Sequence, residues 1–135
     1  MSAADPWQIV VLDETTSTQD EGRRLVSGKP GIRRAIRARR QSWGRGRLGT
    51  AWHSPEGGLW CTLTLPVPDG PDPFYNLLLA LAARDSIASS LGNKGLRLAL
   101  KWPNDLVIGN RKWGGVLAEI AGTSTSPEVL FGIGL

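Results

Sequence analysis

The segment "FYNLLLALAARDSIASSL", residues 74–91, decides the fold class, because it is the one strongly apolar helical segment in the chain. Gly92 follows it directly, as glycine often follows the last turn of a helix. The apolar residues with near-helical spacing are Phe74, Leu77, Leu78, Leu81, Ile87, Ala88 and Leu91. Strand-like segments lie on both sides of this helix. That order predicts an α+β fold, with a mixed, largely antiparallel sheet and helices packed on one face.

Strands and one further helix are predicted outward from this segment. The shorter helix starts after "TTST", with Ser17 or Thr18 as the N-cap, and stops at Gly28. Asp20 and Glu21 lie in its first turn, where negative charge is favourable. The strand at 57–67 carries Leu59, Cys61, Leu63 and Leu65 on one face. The other predicted strands are residues 7–14, 33–40, 97–102, 105–108, 111–120 and 127–135.

The bulk composition is that of one globular domain, residues 1–135, with 41% hydrophobic and 21% charged residues. Cys61 is the single cysteine, so an internal disulfide is excluded and a reducing compartment fits. The N-terminus has no basic segment followed by an apolar core, as a signal peptide would. No apolar run approaches the roughly 20 residues of a membrane helix. We therefore expect a cytoplasmic protein with no membrane partner.

Positive charge is concentrated in one window, residues 31–47, which holds seven arginines and no acid. The remaining chain has nine basic and twelve acidic residues, a balance of −3, so an anion is expected near the window. Arg33, Arg34 and Arg37 fit a solvated charged strand. The tetrad "GRGR", 44–47, lies between predicted strands, and its glycines and forked guanidinium donors suit phosphate oxygens. An ordered or ligand-ordered loop is predicted there.

Two other polar clusters point to chemistry based on charge stabilisation. "LKWPNDLVIGNRKWGG", 100–115, places lysines, Asn and Asp at the ends of paired strands, with Gly114–Gly115 inside a strand where something must approach the backbone. "TTSTQ", 15–19, offers more hydroxyls than helix capping needs. His53 is the only histidine, so catalytic triads and multi-histidine metal sites are poorly supported. Phosphoryl or nucleotidyl transfer fits these residue types.

Taken together, these clusters resemble the catalytic domain of biotin protein ligases. The matching motifs, in the same order as in that family, are "TSTQ" (16–19), "QSWGRGRLGTAWHSPEGGLW" (41–60), "KWPNDL" (101–106), "RKWGGVLAEI" (111–120) and "GIGL" (132–135). The resemblance implies a fold of the class II aminoacyl-tRNA synthetase and biotin ligase type. It implies activation of biotin by ATP and Mg²⁺ to biotinyl-5′-AMP. Transfer follows, to a lysine in the biotin carboxyl carrier domain of acetyl-CoA or a related carboxylase.

The resemblance also assigns roles to individual residues. Those implied to bind biotin are Ser17, Thr18, Gln41, Gly44, Arg45, Lys112, Gly115 and Leu117. Those implied to bind ATP or the adenylate are Arg47, Trp52, Lys101, Asn104, Asp105 and Lys112, with Asp105 also the candidate magnesium ligand. The implied catalytic residues are Lys112, Arg47, Arg45 and Lys101.

Departures from the family pattern leave alternatives open. Thr50 stands where many relatives carry an arginine, and relatives continue "GIGLN" into a small C-terminal domain. The chain is therefore expected to be a truncated catalytic domain. It carries no N-terminal helix-turn-helix, so no DNA partner is expected, and a homodimer is possible. The alternatives are a lipoate or octanoyl ligase, a biotin-binding relative without turnover, and a basic nucleic-acid-binding module.

Overall fold

A computed structural model describes residues 6–92 and 97–135 of the chain. Residues 1–5, part of the stretch in which no signal peptide was recognised, lie outside the described residues. The two helices are α1 (Thr18–Gly28) and α2 (Tyr75–Leu91). The strands are β1 (Gln8–Thr15), β2 (Arg34–Gln41), β3 (Trp60–Pro66), β4 (Leu98–Lys101), β5 (Asp105–Ile108), β6 (Arg111–Thr123) and β7 (Ser126–Gly134).

The seven strands form one mixed sheet, in the order β1-β2-β3-β7-β6-β5-β4. Strands β1 and β2 are parallel because α1 returns the chain to the same end of the sheet, as a crossover helix does. All other neighbours are antiparallel. The predicted α+β class and the largely antiparallel sheet are confirmed, and each predicted strand appears at its expected place.

The two helices pack on opposite faces of the sheet, so the prediction of helices on one face is wrong. In α1, a Cβ added to Gly22 would lie 3.3 Å from Thr62 and 3.4 Å from Leu130. In α2, Ala80 and Ala83 belong to the core cluster that contains Phe131. Consecutive strand residues such as Leu130 and Phe131 point to opposite faces. The central strand β7 is therefore buried on both sides, which its nearly continuous apolar sequence permits.

Alanines rather than large apolar residues make the buried face of α2. Ala80 and Ala83 are buried, whereas Phe74 is 67% and Leu78 is 59% exposed. The prediction from helical spacing is therefore wrong in placing Phe74 and Leu78 on the buried face. The buried face carries alanines instead, and their small side chains let the helix approach the sheet closely. In β3 the alternation is confirmed, but the more buried face carries Trp60, Thr62 and Thr64. Leu59 precedes this strand.

Arg34 is a buried residue, which corrects its assignment to a solvated strand face. Its side chain is 2% exposed and lies on the same face of β2 as the buried Ile36 and Ala38. The guanidinium donates to Gln8 Oε1 at 3.1 Å and to the backbone carbonyl of Lys29 at 2.6 Å. These bonds compensate its desolvation and tie the segment after α1 to the sheet. Arg37, which points to the opposite face of β2 from Arg34, is exposed, as expected.

Helix α1 positions the polar end of the site described below. Ser17 is its N-cap, with φ −156°, and Asp20 and Glu21 lie in its first turn, as predicted. The backbone N–H of Gln19 donates to Ser17 Oγ at 3.2 Å. Because α1 follows directly after β1, its N-terminus lies at the end of β1 and beside Gln41 at the end of β2. Neither helix in the described part of the chain is long and apolar enough to cross a bilayer.

Candidate active site

A cavity of about 450 Å³ opens on the α1 face of the sheet. Its walls come from the N-terminus of α1, from strands β5 to β7, and from the loop of residues 44–52, which we call the flap. The predicted site residues that line it are Ser17, Thr18, Gln41, Arg45, Arg47, Trp52, Lys101, Asn104, Asp105, Lys112, Gly115 and Leu117. Residues as far apart in sequence as Ser17 and Leu117, 100 positions, thus line the same cavity.

One end of the cavity is uncharged and rich in hydrogen-bonding groups. Ser17 is 1% and Thr18 is 3% exposed. Gln41 Oε1 accepts from the backbone N–H of Thr18 at 2.8 Å and from its hydroxyl at 3.1 Å. The Gln41 amide nitrogen donates to Ser54 Oγ at 2.8 Å. This end therefore presents fixed donors and acceptors to a neutral polar group.

The other end of the cavity is cationic. Lys112 Nζ lies 2.9 Å from Asp105 Oδ1 and 4.8 Å from the centroid of the Trp52 ring. Asn104 is held by a bond of 2.9 Å from its amide nitrogen to the carbonyl of Val116. Arg47 reaches the Asn104 amide oxygen at 3.5 Å, and Lys101 lines the same wall. Two lysines and one arginine thus line this end beside one carboxylate, that of Asp105, which pairs with Lys112, an arrangement suited to a ligand with several negative charges.

The flap is an ordered loop, as predicted. Its two sides are joined by bonds from Gly46 N to the Thr50 carbonyl, 2.7 Å, and from Trp52 N to the Gly44 carbonyl, 2.8 Å. At its tip Leu48 has φ 55° and a 99% exposed side chain, a conformation unfavourable for a residue other than glycine.

Arg45 anchors the base of the flap. It forms ion pairs with Asp20 and with Glu119. Burial by itself lowers the pKa of Arg45, but hydrogen bonds to these two carboxylates outweigh it and raise the pKa. Its charge is therefore neutralised within the protein, unlike that of Arg47.

Trp52 explains why glycines occur inside the neighbouring strands. A Cβ on Gly115 would lie 3.1 Å from the Trp52 ring, and one on Gly134 would lie 2.6 Å from its Nε1. The indole therefore packs directly on the sheet backbone. The prediction that something must approach the backbone at Gly114–Gly115 is confirmed for both glycines, since a Cβ on Gly114 would lie 2.5 Å from the Gly134 carbonyl oxygen, and the approaching groups belong to the same protein.

Gly44 is the one predicted site residue that does not line the cavity. It is buried, and its carbonyl accepts from Trp52 at the base of the flap. A Cβ on it would lie 2.5 Å from Ser54 Oγ, so the flap requires glycine there. Gln19, Gly132 and Gly134 line the cavity although no site role was predicted for them. Gln19 lies in the motif "TSTQ" and the two glycines lie in "GIGL", and these motifs are the signal that could have found them.

The described residues contain no group of three or more His, Cys, Asp and Glu side chains able to hold a metal ion. Asp105, the candidate magnesium ligand, is paired with Lys112. One carboxylate suffices for a magnesium ion that is carried by nucleotide phosphates. His53, the only histidine, is exposed.

Comparison with known proteins agrees with this architecture. A model of the biotin/lipoate A/B protein ligase family matches residues 11–135. The chain belongs to this family. In this biotin/lipoate ligase family member, the matched range contains the whole cavity and both helices. It also contains all seven strands, except for the first three residues of β1.

Individual relatives are similar over nearly the whole chain. The biotin–[acetyl-CoA-carboxylase] ligase of Paracoccus denitrificans is 36% identical over 93% of this chain and 52% of its own. The biotin protein ligase of Leishmania major, solved in complex with biotinyl-5-AMP, has a TM-score of 0.78 and 31% identity, over 95% of this chain and 56% of its own. That of Aquifex aeolicus, in complex with biotin and ATP, has a TM-score of 0.75 and 33% identity, over 95% and 51%. This family member thus spans about half the length of these relatives.

Proposed function

We propose that this protein activates biotin with ATP to biotinyl-5′-AMP and transfers the biotinyl group to a lysine of a carboxyl carrier domain. The observation that carries the proposal is the division of a single cavity into a neutral hydrogen-bonding end and a cationic end. Biotin has the matching division, since a neutral ureido ring and a carboxylate are separated by an apolar chain. Leu117 also lines the cavity, and its apolar side chain suits the apolar chain of biotin.

The neutral end favours biotin over lipoate, the other acid that the family name mentions. A ureido ring has one carbonyl acceptor and two N–H donors, which Ser17, Thr18 and Gln41 are equipped to pair. The dithiolane ring of lipoate has no such groups and could not use the remaining hydrogen-bonding capacity of the buried Ser17 and Thr18. A site built to hydrogen-bond a ligand in this way rejects an analogue that lacks the matching groups.

The cationic end supports the activation step. A biotin carboxylate oxygen attacks the α-phosphorus of ATP, the bond from that phosphorus to the β-bridging oxygen breaks, and pyrophosphate leaves. Two anions must meet, so a cation between them lowers the barrier in a site shielded from water. We assign this role to Lys112, whose ammonium would exchange the Asp105 carboxylate for the carboxylate and phosphate oxygens.

The remaining residues of this end suit the nucleotide. Lys101 and Arg47 supply charge for the phosphates, and Asn104 holds Arg47 beside them. We assign Trp52 to stacking against adenine, a contact that its large aromatic face permits. Magnesium would be held by Asp105 together with the phosphates and would screen their charge.

Transfer completes the reaction at the mouth of the cavity. The unprotonated amine of a carrier lysine attacks the acyl carbon of the mixed anhydride, an amide bond forms, and AMP leaves with the electrons of the broken acyl–oxygen bond. The flap lines the cavity, and we assign to it the exclusion of water from the anhydride until the carrier arrives. Arg45 contributes by holding the flap base.

The nucleic-acid alternative loses support because most arginines of the basic window already have partners. Arg34 is buried, Arg40 pairs with Glu14, and Arg45 pairs with Asp20 and Glu119. Arg39 pairs with Asp13 and Glu56. Few of the seven charges are left to release counterions from a phosphate backbone.

Isothermal calorimetry of the 135-residue chain with biotin and, separately, lipoate, each with and without magnesium-ATP, tests the proposal. We expect heat from biotin alone and biotinyl-5′-AMP by mass spectrometry when ATP is added. Adenylate from lipoate alone would favour the lipoate ligase alternative. Biotin binding without adenylate would point to a binding protein without turnover. Binding of neither acid, with tight and salt-dependent nucleic-acid binding, would favour the basic module.

A further inference from the structure

Glu119 lies outside the predicted site residues, yet one of its carboxylate oxygens collects three donors. Glu119 Oε2 accepts from the Gln19 amide nitrogen at 3.0 Å, from Arg45 at 3.1 Å and from Arg23 at 3.5 Å. Gln19 lies with Ser17, Thr18 and Gln41 in the part of the cavity wall that we call the floor, and Arg45 lies in the flap. A single oxygen atom therefore joins two parts of the site that are 26 residues apart in sequence.

This contact differs from an ordinary surface ion pair. The Gln19 side chain is 3% exposed, and the side chains of Arg45 and Glu119 are 24% and 27% exposed. Exposed pairs contribute little because water screens them and long side chains lose entropy. Here a charged acceptor serves a buried amide and a largely buried guanidinium, and such charge-assisted bonds are stronger than neutral ones.

The contact also fixes the orientation of the Gln19 amide in a hydrogen-bond network across the cavity floor. Because a carboxylate only accepts, Gln19 must turn its amide nitrogen to Glu119 and its oxygen to Thr62, whose hydroxyl lies 2.9 Å away. The single Thr62 proton serves either Gln19 Oε1 or the Thr18 oxygen, which is equally close at 2.9 Å, and Thr18 donates to Gln41.

The same chain ends at the opposite side of the flap. Gln41 donates to Ser54 Oγ, and Ser54 donates to the carbonyl of Trp52 at 3.0 Å. Since Trp52 closes the flap by its bond to Gly44, both ends of the flap are connected through the floor. The Gln19 side chain packs closely on the backbone of Gly132, where an added Cβ would lie 3.2 Å from Gln19 Cδ, so the carboxylate of Glu119 is what sets which way the amide points.

We infer that Glu119 is a positioning residue that ties the flap to the cavity floor, by holding the Gln19 amide and the Arg45 guanidinium together before any ligand binds. Loss of its charge releases the flap base. Loss of its acceptor oxygen also frees Gln19 to turn and disorders the hydroxyl directions that Thr18 presents. The inference rests on the proposed function only where it concerns biotin.

Two variants separate these effects. Glu119→Gln keeps a neutral oxygen where all three donors meet and removes the charge, whereas Glu119→Ala removes both. Glu14→Gln is the matched control, since it removes an equal charge from the exposed pair with Arg40, away from the cavity. Hydrogen exchange of the peptide spanning the flap, followed by mass spectrometry in ligand-free protein, reports flap opening. Biotin affinity is measured by calorimetry.

We expect about tenfold faster flap exchange in both Glu119 variants, because each loses a charge-assisted bond. Biotin affinity should fall about tenfold in Glu119→Ala and stay near wild type in Glu119→Gln, which retains the acceptor. Glu14→Gln should change neither quantity. Flap exchange at the wild-type rate in Glu119→Gln would overturn the inference, as would equal biotin affinity in all variants.

A double-variant cycle adds a check that does not need Glu119→Ala to fold. Arg45→Gln should also accelerate flap exchange, and combining it with Glu119→Gln should add less than the sum of the two effects, because both remove the same contact. Full additivity would contradict the coupling. Flap exchange requires no ligand, so failure of wild-type protein to bind biotin would sink the proposed function while the exchange data still decide this inference.

Discussion

Lys112 is the residue on which the proposed chemistry depends most. Its side chain is 49% exposed, and its contacts in the described part of the chain are with Asp105 and the Trp52 ring, both in the cavity wall, so little of the core rests on it. We expect Lys112→Ala to lower adenylate formation by about 100-fold or more, the scale seen when one preorganised charge or donor is removed from a transition state. The thermal midpoint should stay close to wild type.

Arg111 provides the matched control for this variant. It is the exposed neighbour of Lys112 in β6 and carries the same charge, but it does not line the cavity. Arg111→Ala should therefore retain adenylate formation, as followed by pyrophosphate release. Turnover of Lys112→Ala at the wild-type rate would remove this lysine from the mechanism.

Cys61 shows how burial sets the reactivity of a single residue. Burial raises the pKa of this thiol to about 11, against the opposing influence of the nearby Arg37 charge. At pH 8 its thiolate fraction is on the order of a hundredfold below that of an unperturbed thiol of pKa about 8.5. Alkylation by iodoacetamide should accordingly be slow at pH 8 and accelerate as the pH rises towards 11.

The same shift makes a prediction about stability. Because the folded pKa lies above the unfolded one, the folded chain binds the thiol proton more tightly. The associated stability is complete below pH of about 8.5 and is lost as the pH rises towards the folded pKa. Urea unfolding of wild type and Cys61→Ala should therefore diverge in pH dependence above that point. Identical pH profiles, with fast alkylation at pH 8, would contradict the shifted pKa.

At the scale of elements, the flap has an anchored base and a tip with few protein contacts. Arg45 holds the base, whereas the one side-chain bond of Arg47 within the described residues is 3.5 Å long, to Asn104. Ligand phosphates would give Arg47 stronger partners. We expect Arg47→Ala to leave biotin binding nearly unchanged and to release adenylate about tenfold faster, as the loss of one charge-assisted bond implies.

Arg37→Ala is the control for that change, since it removes an exposed arginine of β2 that does not line the cavity. Stopped-flow measurement of adenylate release distinguishes the two variants. If both release adenylate at the wild-type rate, the tip of the flap does not retain the intermediate.

Elements with local signals agree well between sequence and structure. Ser17 and Gly28 bound α1 as expected, and the turn at Gly109, with φ 59°, joins β5 and β6. These features depend on residues close together in the chain, such as an N-cap hydroxyl or a glycine with positive φ. Burial within an element agrees less well, as α2 shows, because the buried face depends on what packs against it.

At the scale of the whole molecule, the cavity depends on a sheet whose centre is buried between two helices. Phe131 in β7 is 2% exposed and joins the cluster that α2 covers. Phe131→Ala should lower the free energy of unfolding by about 3–5 kcal/mol, as a large cavity in a core does. Phe74→Ala, the same change at a 67% exposed position, should cost less than about 1 kcal/mol.

Urea unfolding measures both changes under one set of conditions. Equal losses in the two variants would mean that the α2 layer does not stabilise the sheet centre. A loss of stability in Phe131→Ala alone would show that packing on the face opposite the cavity supports β7, the strand that carries Gly132 and Gly134.

The sequence by itself determined the order of helices and strands, the flap, and twelve of the 22 residues that line the cavity, because these leave signals in short segments and their motifs. Only the tertiary structure decided which face each helix covers, that Arg34 is buried, and that Glu119 joins Gln19 to Arg45. These depend on contacts between distant segments. Whether a given strand residue faces a helix, a carboxylate or solvent is fixed by its partner across the fold, which no local spacing encodes.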